Sequence, residues 1–471
     1  MSVSVRRGEI VAVLALAALG AASVPTVVRA FDAAVIVPFL GVAAVFVASA
    51  CSPALYLLIV CAVGNNLFGL VDLTQDAVAG LIAMDLLLFL ATVGLVCGTV
   101  LRGELRDIER KLGDARAQFL FGIVLLTAVW CGLTLVFFDQ SAMLTLKAAR
   151  PMLYYLFGFW GLCARVPPRR YKHCVSALAI GGMVLSALVV LGFFFDLQGV
   201  LPGMQRFHKY LAYSQHYYRT VPLGYEFIYL AFFLVLFGEK IFSRGFRAIA
   251  LTLLSLGVVA VAFRAYWIGM VGAVCWLYLR RNEVERRSLR WALGAGIFAV
   301  GVLVSTGAHA TVAGRAMLAV EDIETGHGSI SIRLKQVAAL MPYVRENPVM
   351  GVGFLHASGP YGTRLQPLKG LLIHRFGTSD VGWMDILVRF GFVGSFVFGL
   401  LYFFLYCSLQ DAGVGAQTSL AAVILTGAFA LPGAALFSIP NGVLTIALTS
   451  GLVLAARAEE SSSVKDDTVP R

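Results

Sequence analysis

Charged side chains with the potential for chemistry stand where apolar runs of this sequence begin or break. Arg219 precedes the run RTVPLGYEFIYLAFFLVL, Glu226 lies two turns further into it, and Arg264 interrupts SLGVVAVAFRAYWIGMVGAV. A guanidinium group gives paired, permanently charged hydrogen bonds to phosphate oxygens, whereas a lone arginine at a helix end can also simply reach toward lipid headgroups. Glu226 must face the bundle interior and find a partner, and we expect an arginine, in a functional or a structural ion pair.

The composition excludes an ordinary soluble globular protein. Of the 471 residues, 59% are hydrophobic and 13% are charged, so most apolar side chains need lipid or other helices around them. The eight cysteines lie in or beside apolar segments and lack metal-ligand spacing, which predicts neither a disulfide framework nor a zinc site. Glu321, Asp322 and Glu324 are the carboxylates outside the apolar runs that come closest to forming a metal-binding cluster. We expect no metal or other cofactor there.

Apolar runs of about 20 residues predict an all-α polytopic membrane protein with about 14 transmembrane helices. The net charge of +11 arises largely from basic clusters in alternate short loops, such as 102–116 and 280–290. The positive-inside rule assigns these loops and both termini to the cytoplasm. The predicted units are helices 1–11 at 1–309 with an outer loop at 196–220, a large periplasmic loop at 310–379, helices 12–14 at 380–456, and a disordered cytoplasmic tail at 457–471.

The interval from Ser329 to Gly394 is the longest that water must reach. It predicts an amphipathic helix that Ser331 can cap, a Pro-x-x-Gly-x-Gly turn that ends this helix, and a return helix with a Gly-x-x-Gly pair. The residues concerned are Arg333, Val337, Leu340 and Val344, then Pro348, Gly351 and Gly353, then Asp385, Arg389, Gly391 and Gly394. This order resembles the large periplasmic loop and following helix of the O-antigen ligase and polymerase superfamily, whose members transfer glycans from undecaprenyl pyrophosphate carriers.

The resemblance implies a GT-C-like fold and a shared role for three arginines. Arg219 matches the arginine before the helix that follows the first outer loop. Arg264 stands where the family commonly has a Ser-Arg-Gly-Ala-like turn, although its neighbours here are Phe263 and Ala265. Arg333 lies on the loop helix just before the turn. Together the three are expected to bind the pyrophosphate and stabilise its charge as it leaves, in the role that Mg²⁺ often takes.

The resemblance also directs attention to a base for the acceptor hydroxyl. Many family members carry a His-Asn pair at the start of the helix after the large loop, and this sequence has Ser379-Asp380 there. Asp380 can accept a proton or orient a sugar hydroxyl, and it can equally be an N-cap. His374 is an alternative, as are His356 and His216. The outer-loop tyrosines, which can stack on sugars or form an interfacial belt, are Tyr210, Tyr213, Tyr217 and Tyr218.

The resemblance implies a metal-independent, inverting glycosyltransferase of the bacterial inner membrane with its active site on the periplasmic face. The preferred reaction polymerises undecaprenyl-pyrophosphate-linked repeat units of an exopolysaccharide or O-antigen. The first alternative is a ligase that transfers the glycan to lipid A core or protein, and an alternative of another class is a polysaccharide or lipid transporter. Expected partners are the lipid-linked glycan, membrane lipid, a flippase and a chain-length regulator, and no nucleic acid.

Overall fold

The computed structural model describes most of the chain between residues 33 and 466. The described residues are 33–64, 76–78, 81–103, 111–163, 166, 168–195, 212–214, 217–218, 224–238, 241–261, 264–280, 290, 294, 296–297, 301–302, 304–305, 329–356, 358–361, 381–410, 415–430, 436–437 and 440–466.

Helices form nearly all of the described structure, as the all-α prediction requires. The first half contains α1 (Ala33–Cys51), α2 (Pro53–Gly64), α3 (Ala83–Leu101), α4 (Ala115–Phe138), α5 (Ala142–Leu153), a 3-10 helix (Tyr154–Phe159), α6 (Trp160–Cys163) and α7 (Pro168–Phe194). The second half contains α8 (Glu226–Phe237), α9 (Arg244–Val261), α10 (Arg264–Arg280), α11 (Ser329–Glu346), α12 (Gly382–Gln410), α13 (Ala416–Ala430) and α14 (Pro440–Asp466).

Two short antiparallel hairpins add the strands that the sequence did not predict. The strands β1 (Asp76–Val78) and β2 (Leu81–Ile82) pair with each other, and β3 (Ala212–Ser214) pairs with β4 (Tyr217–Tyr218). Helix α14 is also longer than predicted, because its helix-favouring Ala and Glu residues extend it to Asp466. The tail expected to be disordered from residue 457 is therefore helical as far as Asp466.

Five helices in the described part of the chain are long and apolar enough to cross a membrane. They are Ala83–Leu101, Ala115–Phe138, Arg170–Phe194, Arg244–Val261 and Gly382–Leu409. Six shorter apolar helices accompany them, namely Gly41–Cys51, Pro53–Gly64, Glu226–Phe237, Ala265–Leu279, Ala416–Ala430 and Asn441–Ala455. These helices indicate a multi-pass membrane protein.

Helix α8 lies at the centre of this bundle. Every residue from Glu226 to Phe237 is buried, and α8 packs against α7, α9 and α13. A helix that is apolar on all sides is stable only when neighbours surround it. The polar residue at its first position, Glu226, is therefore held at a fixed place at the end of the most enclosed helix.

Basic side chains close the C-terminal ends of four helices. Each donates hydrogen bonds to carbonyl oxygens that a helix end leaves without an intrahelical partner. The pairs are Arg102 with Ala50 of α1, Lys111 with Gly161 and Leu162 of α6, Arg116 with Ser408 of α12, and Arg247 with Val235 and Leu236 of α8. The basic clusters that the sequence assigns to one side of the membrane thus also fasten helix ends to each other.

We predict that Arg247→Ala lowers the free energy of unfolding by about 2 kcal/mol, which is a usual contribution for hydrogen bonds to a charged group. Arg247 is 2% exposed, and its guanidinium lies 2.7 Å from the Leu236 oxygen and 3.3 Å from the Val235 oxygen. Thermal unfolding of the detergent-purified protein measures the effect. Arg244→Ala, at an exposed position of the same helix, is the matched control and should leave the unfolding temperature unchanged. Equal unfolding temperatures for the two variants would contradict the capping role.

Candidate active site

The structure describes side chains for three of the predicted site residues, Arg333, Glu226 and His356. For Arg264 it gives the backbone, as the first residue of α10, and for Tyr217 and Tyr218 it gives strand β4. Tyr213 lies in strand β3. The remaining predicted residues lie outside the described residues, and they are Arg219, Tyr210, His216, His374 and Asp380. The grouping of three arginines around one pyrophosphate therefore stays a prediction.

Glu226 begins α8 inside a cluster of tyrosines. Its side chain is 2% exposed, and its Oε2 atom has no hydrogen-bond partner among the described residues. Tyr229 of α8 stacks on Tyr266 of α10 with ring centroids 5.0 Å apart, and Tyr225 meets Tyr266 edge-on at 5.6 Å. Because Tyr266 lies two residues after Arg264, these contacts bring the first turn of α10 beside Glu226. No ion pair of Glu226 is seen among the described residues, so its pairing with an arginine stays a prediction.

Helix α11 carries Arg333 on a half-buried position. The inward face of α11 contains Gln336, Leu340 and Val344 at steps of four residues, which confirms the predicted helical spacing. The helix begins at Ser329, so Ser331 lies within it and is not the cap residue that the sequence predicted. Leu340 and Val344 belong to a small apolar core that also contains Val352, Leu355, Val381, Met384 and Val388. This core fixes α11 against the start of α12.

The Pro-x-x-Gly-x-Gly turn after α11 enters a break in α12. Gly391 has φ 60° and ψ −168° inside α12, so Phe392 and Val393 do not donate to Val388 and Arg389 as they would in a regular helix. Instead, Val352 N donates to Val388 O at 2.8 Å and Gly353 N donates to Arg389 O at 2.9 Å. In return, Phe392 N donates to Pro348 O at 2.8 Å and Val393 N donates to Val349 O at 3.1 Å. Four bonds to the turn replace two bonds of the helix.

Glycine is required on both sides of this contact. Gly351 has φ 66° and Gly391 has φ 60°, a region that residues with a Cβ enter only at a cost. A Cβ on Gly351 would lie 2.5 Å from Gly391 N and 2.6 Å from Arg389 O. The two backbones therefore approach as closely as they do because neither residue has a side chain.

Helix α4 holds the same turn from its other side. Trp130 Nε1 donates to Met350 O at 2.7 Å, and Phe354 N donates to Thr134 Oγ1 at 2.9 Å. Just beyond α4, Gln140 donates through Nε2 to Phe354 O at 2.8 Å and accepts through Oε1 from His356 N at 2.7 Å. Since Trp130 lies eight residues before the end of α4, the turn reaches about 12 Å below that helix end. We call residues 348–354 the re-entrant turn, because the segment folds back along α4. The amides of 351–354 all donate to oxygen atoms of the protein, as irregular backbone within a membrane would require.

A buried ion pair lies directly before the break in α12. Arg389 Nε is 2.8 Å from Asp385 Oδ1, and the two residues are 8% and 3% exposed. The guanidinium also donates to Ala148 O of α5 at 3.2 Å and lies 5.7 Å from the ring centre of Phe354. The pair thus connects the return helix with α5 and with the turn. Its one-turn spacing was visible in the sequence, but its partners on α5 and on the turn were not.

Sequence reasoning missed a second ion pair, between Asp85 of α3 and Arg150 of α5. Arg150 Nη1 is 3.4 Å from Asp85 Oδ2, and the Tyr154 hydroxyl donates to Asp85 Oδ1 at 2.5 Å. The side chain of Arg150 is 23% exposed. The signal that could have found it is the one that singled out Glu226, a charged residue inside an apolar run.

His356 is the one candidate base whose surroundings the structure describes. Its ring is half-buried, and its Nδ1 atom accepts a hydrogen bond from Ser358 N at 3.1 Å. This bond and the bond from its own backbone N–H to Gln140 shape the chain after the turn. Among the described residues, no group of three or more His, Cys, Asp or Glu side chains is arranged to hold a metal ion.

We predict that Gly391→Ala disrupts the contact between the turn and α12. The new Cβ would collide with Val349 O and Gly351 N, and a positive φ adds about 1–2 kcal/mol for a residue other than glycine. Thermal unfolding should show a large loss of stability or of folded protein.

The matched control for this prediction is Gly399→Ala on the same helix. Nothing lies within 4 Å of a Cβ at that position, and alanine favours a helix by about 1 kcal/mol over glycine. The control should be neutral or stabilising. A Gly391→Ala protein as stable as the wild type would show that the close approach does not exist.

The comparisons with known proteins bear on this arrangement. No individual curated protein matches the chain. Residues 217–399 match the family described as O-antigen ligase. This stretch contains Glu226, the start of α10, helix α11, the re-entrant turn and the break in α12. The match confirms, for this part of the chain, the resemblance to the O-antigen ligase and polymerase superfamily that the sequence pattern indicates.

Proposed function

We propose that this protein is a glycosyltransferase of the inner membrane that polymerises undecaprenyl-pyrophosphate-linked oligosaccharide repeat units on the periplasmic face. The observation that carries the proposal is the re-entrant turn seated in the break of α12, within the stretch that matches the O-antigen ligase family. This contact holds α11, and with it Arg333, at a fixed place beside the start of α12. Fixed placement of charged groups is what transfer from a diphosphate carrier requires.

In the proposed reaction, Arg219, Arg264 and Arg333 bind the pyrophosphate and stabilise the negative charge that develops as it leaves. Arginine suits this role because its planar guanidinium forms two bonds to phosphate oxygens and stays charged. The acceptor hydroxyl attacks the anomeric carbon from the opposite side with inversion, and Asp380 or His374 accepts its proton. The arginines supply the positive charge in place of a divalent metal ion.

Glu226 positions one of these arginines in this proposal. Its buried Oε2 atom has no partner among the described residues, and the contacts of Tyr266 bring the start of α10 to it. The carboxylate is hydrogen-bonded to Tyr225 but has no cationic partner among the described residues, so in this proposal an arginine from this neighbourhood stabilises both groups. Tyr217, Tyr218 and His216, near the end of the first outer loop, are proposed to contact the sugars.

The finer topology belongs to the same proposal. We infer about 14 transmembrane helices in a GT-C-like arrangement, with the loop at 310–379 on the periplasmic side and both termini in the cytoplasm. The basic residues that close helix ends in the structure come from the loops that the positive-inside rule assigns to the cytoplasm. A flippase that delivers the repeat units and a chain-length regulator are the proposed partners.

A ligase that transfers the finished glycan to lipid A core or protein is the second candidate, because the matching family is described as O-antigen ligase. A transporter is a less satisfactory alternative. Transporters use broken helices whose free backbone groups face the substrate, whereas the break in α12 is filled by the turn of the same chain.

We predict that a deletion strain accumulates single lipid-linked repeat units. A polymerase joins such units, so without it they remain on their carrier. Mass spectrometry of the lipid-linked glycans measures this directly. Full-length chains that stay on the carrier would favour the ligase instead, and repeat units trapped on the cytoplasmic face would favour the transporter.

The same strain tests the arginines by complementation. Arg219→Lys, Arg264→Lys and Arg333→Lys keep the charge but lose the paired hydrogen bonds, and each should lower the rate about 10²- to 10³-fold at normal protein level. Arg286→Lys, in the cytoplasmic loop of the proposed topology, is the matched control and should restore wild-type polymer. Wild-type polymer from all three variants would remove the arginines from the mechanism.

A further inference from the structure

A groove of about 520 Å³ lies between the C-terminal half of α4 and the re-entrant turn, and the proposed reaction does not use it. This volume is within the usual range for small-molecule sites, about 300 to 1,000 Å³. Its lining residues come from three places: the last turns of α4, the end of α11 with the turn, and Tyr361.

The lining of the groove combines apolar and polar side chains. The apolar ones include Leu133, Val349 and Met350, of which Val349 is 55% and Met350 43% exposed. The polar ones include Glu346 and Asn347. The groove therefore suits a ligand that is anchored in lipid and carries hydrogen-bonding groups.

The aromatic residues of the groove have the arrangement that a sugar ring requires. Phe138 and Tyr361 meet edge to face with ring centroids 5.2 Å apart, and Trp130 also lines the groove. The C–H face of a pyranose packs on aromatic rings, while a carboxylate and an amide bind its hydroxyl groups. Glu346 and Asn347 provide a carboxylate and an amide beside these rings.

The charge of the groove argues against a phosphate ligand. None of the described residues that line it is Lys, Arg or His, and Glu346 contributes a carboxylate. A diphosphate would meet repulsion there and no guanidinium fork. The groove is also far from Arg333, because Arg333 and Glu346 are thirteen residues apart on one helix, which is about 20 Å.

We propose that this groove binds a neutral sugar ring of a lipid-anchored saccharide at the membrane surface. The proposal rests on the proposed function, since it adds to that reaction a saccharide subsite separate from the pyrophosphate site. The sugar is either part of the acceptor or a sugar of the donor remote from its diphosphate. Tyr361 and Phe138 contact the ring, and Glu346 and Asn347 bind its hydroxyl groups.

The test measures binding of a phosphate-free saccharide to the full-length protein in nanodiscs. The probe is the saccharide that mild acid releases from the lipid-linked glycan of the same cells, and its Kd is obtained by NMR titration. Tyr361→Ala should raise this Kd at least tenfold, and Glu346→Gln should raise it severalfold. Tyr361→Phe retains the ring and should bind within about twofold of the wild type.

Asp139→Asn is the matched control for the loss of a carboxylate. Asp139 is exposed at the end of α4 and does not line the groove, and asparagine tolerates its left-handed backbone, φ 47°. The control should leave the Kd unchanged. Wild-type Kd values for Tyr361→Ala and Glu346→Gln, with wild-type unfolding temperatures, would overturn the proposal. Displacement of the saccharide by inorganic pyrophosphate would also overturn it.

Kinetics separates the two sources of the sugar. With a donor that carries a single sugar on its diphosphate, Tyr361→Ala still raises KM if the groove binds the acceptor, and has no effect if it binds remote donor sugars. A wild-type protein that binds the saccharide but transfers no glycan would leave this site standing and remove the proposed function. A protein that transfers glycan, while its Tyr361→Ala and Glu346→Gln variants bind the saccharide with the wild-type Kd, would support the proposed function and overturn this binding site.

Discussion

The break of α12 at Gly391 leaves four backbone groups of a membrane helix without their ordinary partners, and the turn after α11 provides a partner for each of them. An unpaired backbone group in hydrocarbon costs several kcal/mol, so the break and the turn are stable only together. The consequence extends beyond the contact itself. The turn ends α11, contacts α4 through Trp130 and Thr134, and lies beside the ion pair of Asp385 and Arg389. The shape of the groove between α4 and the turn depends on this exchange of hydrogen bonds, and the position of α11, which carries Arg333, depends on it together with the apolar core around Leu340.

Charged residues of the described structure have two main roles, namely hydrogen bonding to helix ends and ion pairing inside the bundle. One set donates to carbonyl oxygens at helix ends, as Arg116 and Arg247 do, and Arg116 is at the same time ion-paired with Asp114. The other set is paired inside the bundle, as Asp85 with Arg150 and Asp385 with Arg389, where a charge without a partner would be costly. Glu226 belongs with the second set by burial, and its place beside the start of α10 connects it with the arginines of the proposed site.

Sequence patterns predicted the helices of this region better than the contacts between them. The helical spacing of Leu340 and Val344 and the end of α11 before Pro348 are local properties, and both are found in the structure. The break at Gly391 was not predicted, because a glycine in an apolar run is usually accommodated within a helix. Only the approach of Gly351 from forty residues away makes the break stable. Asp85 and Arg150 escaped notice for the same reason, since their partners are distant in the chain.

Hydrogen exchange at the break of α12 tests the central claim most directly. In nanodiscs, mass spectrometry of short fragments should show slow exchange of the amides of Val352, Gly353, Phe392 and Val393, comparable with that of the buried helix α8. Slow exchange is expected although 352 and 353 lie in a turn, because all four amides donate to carbonyl groups of the protein. Exchange of these amides at the rate of an open loop would contradict the account, because the turn would then not be seated in the break.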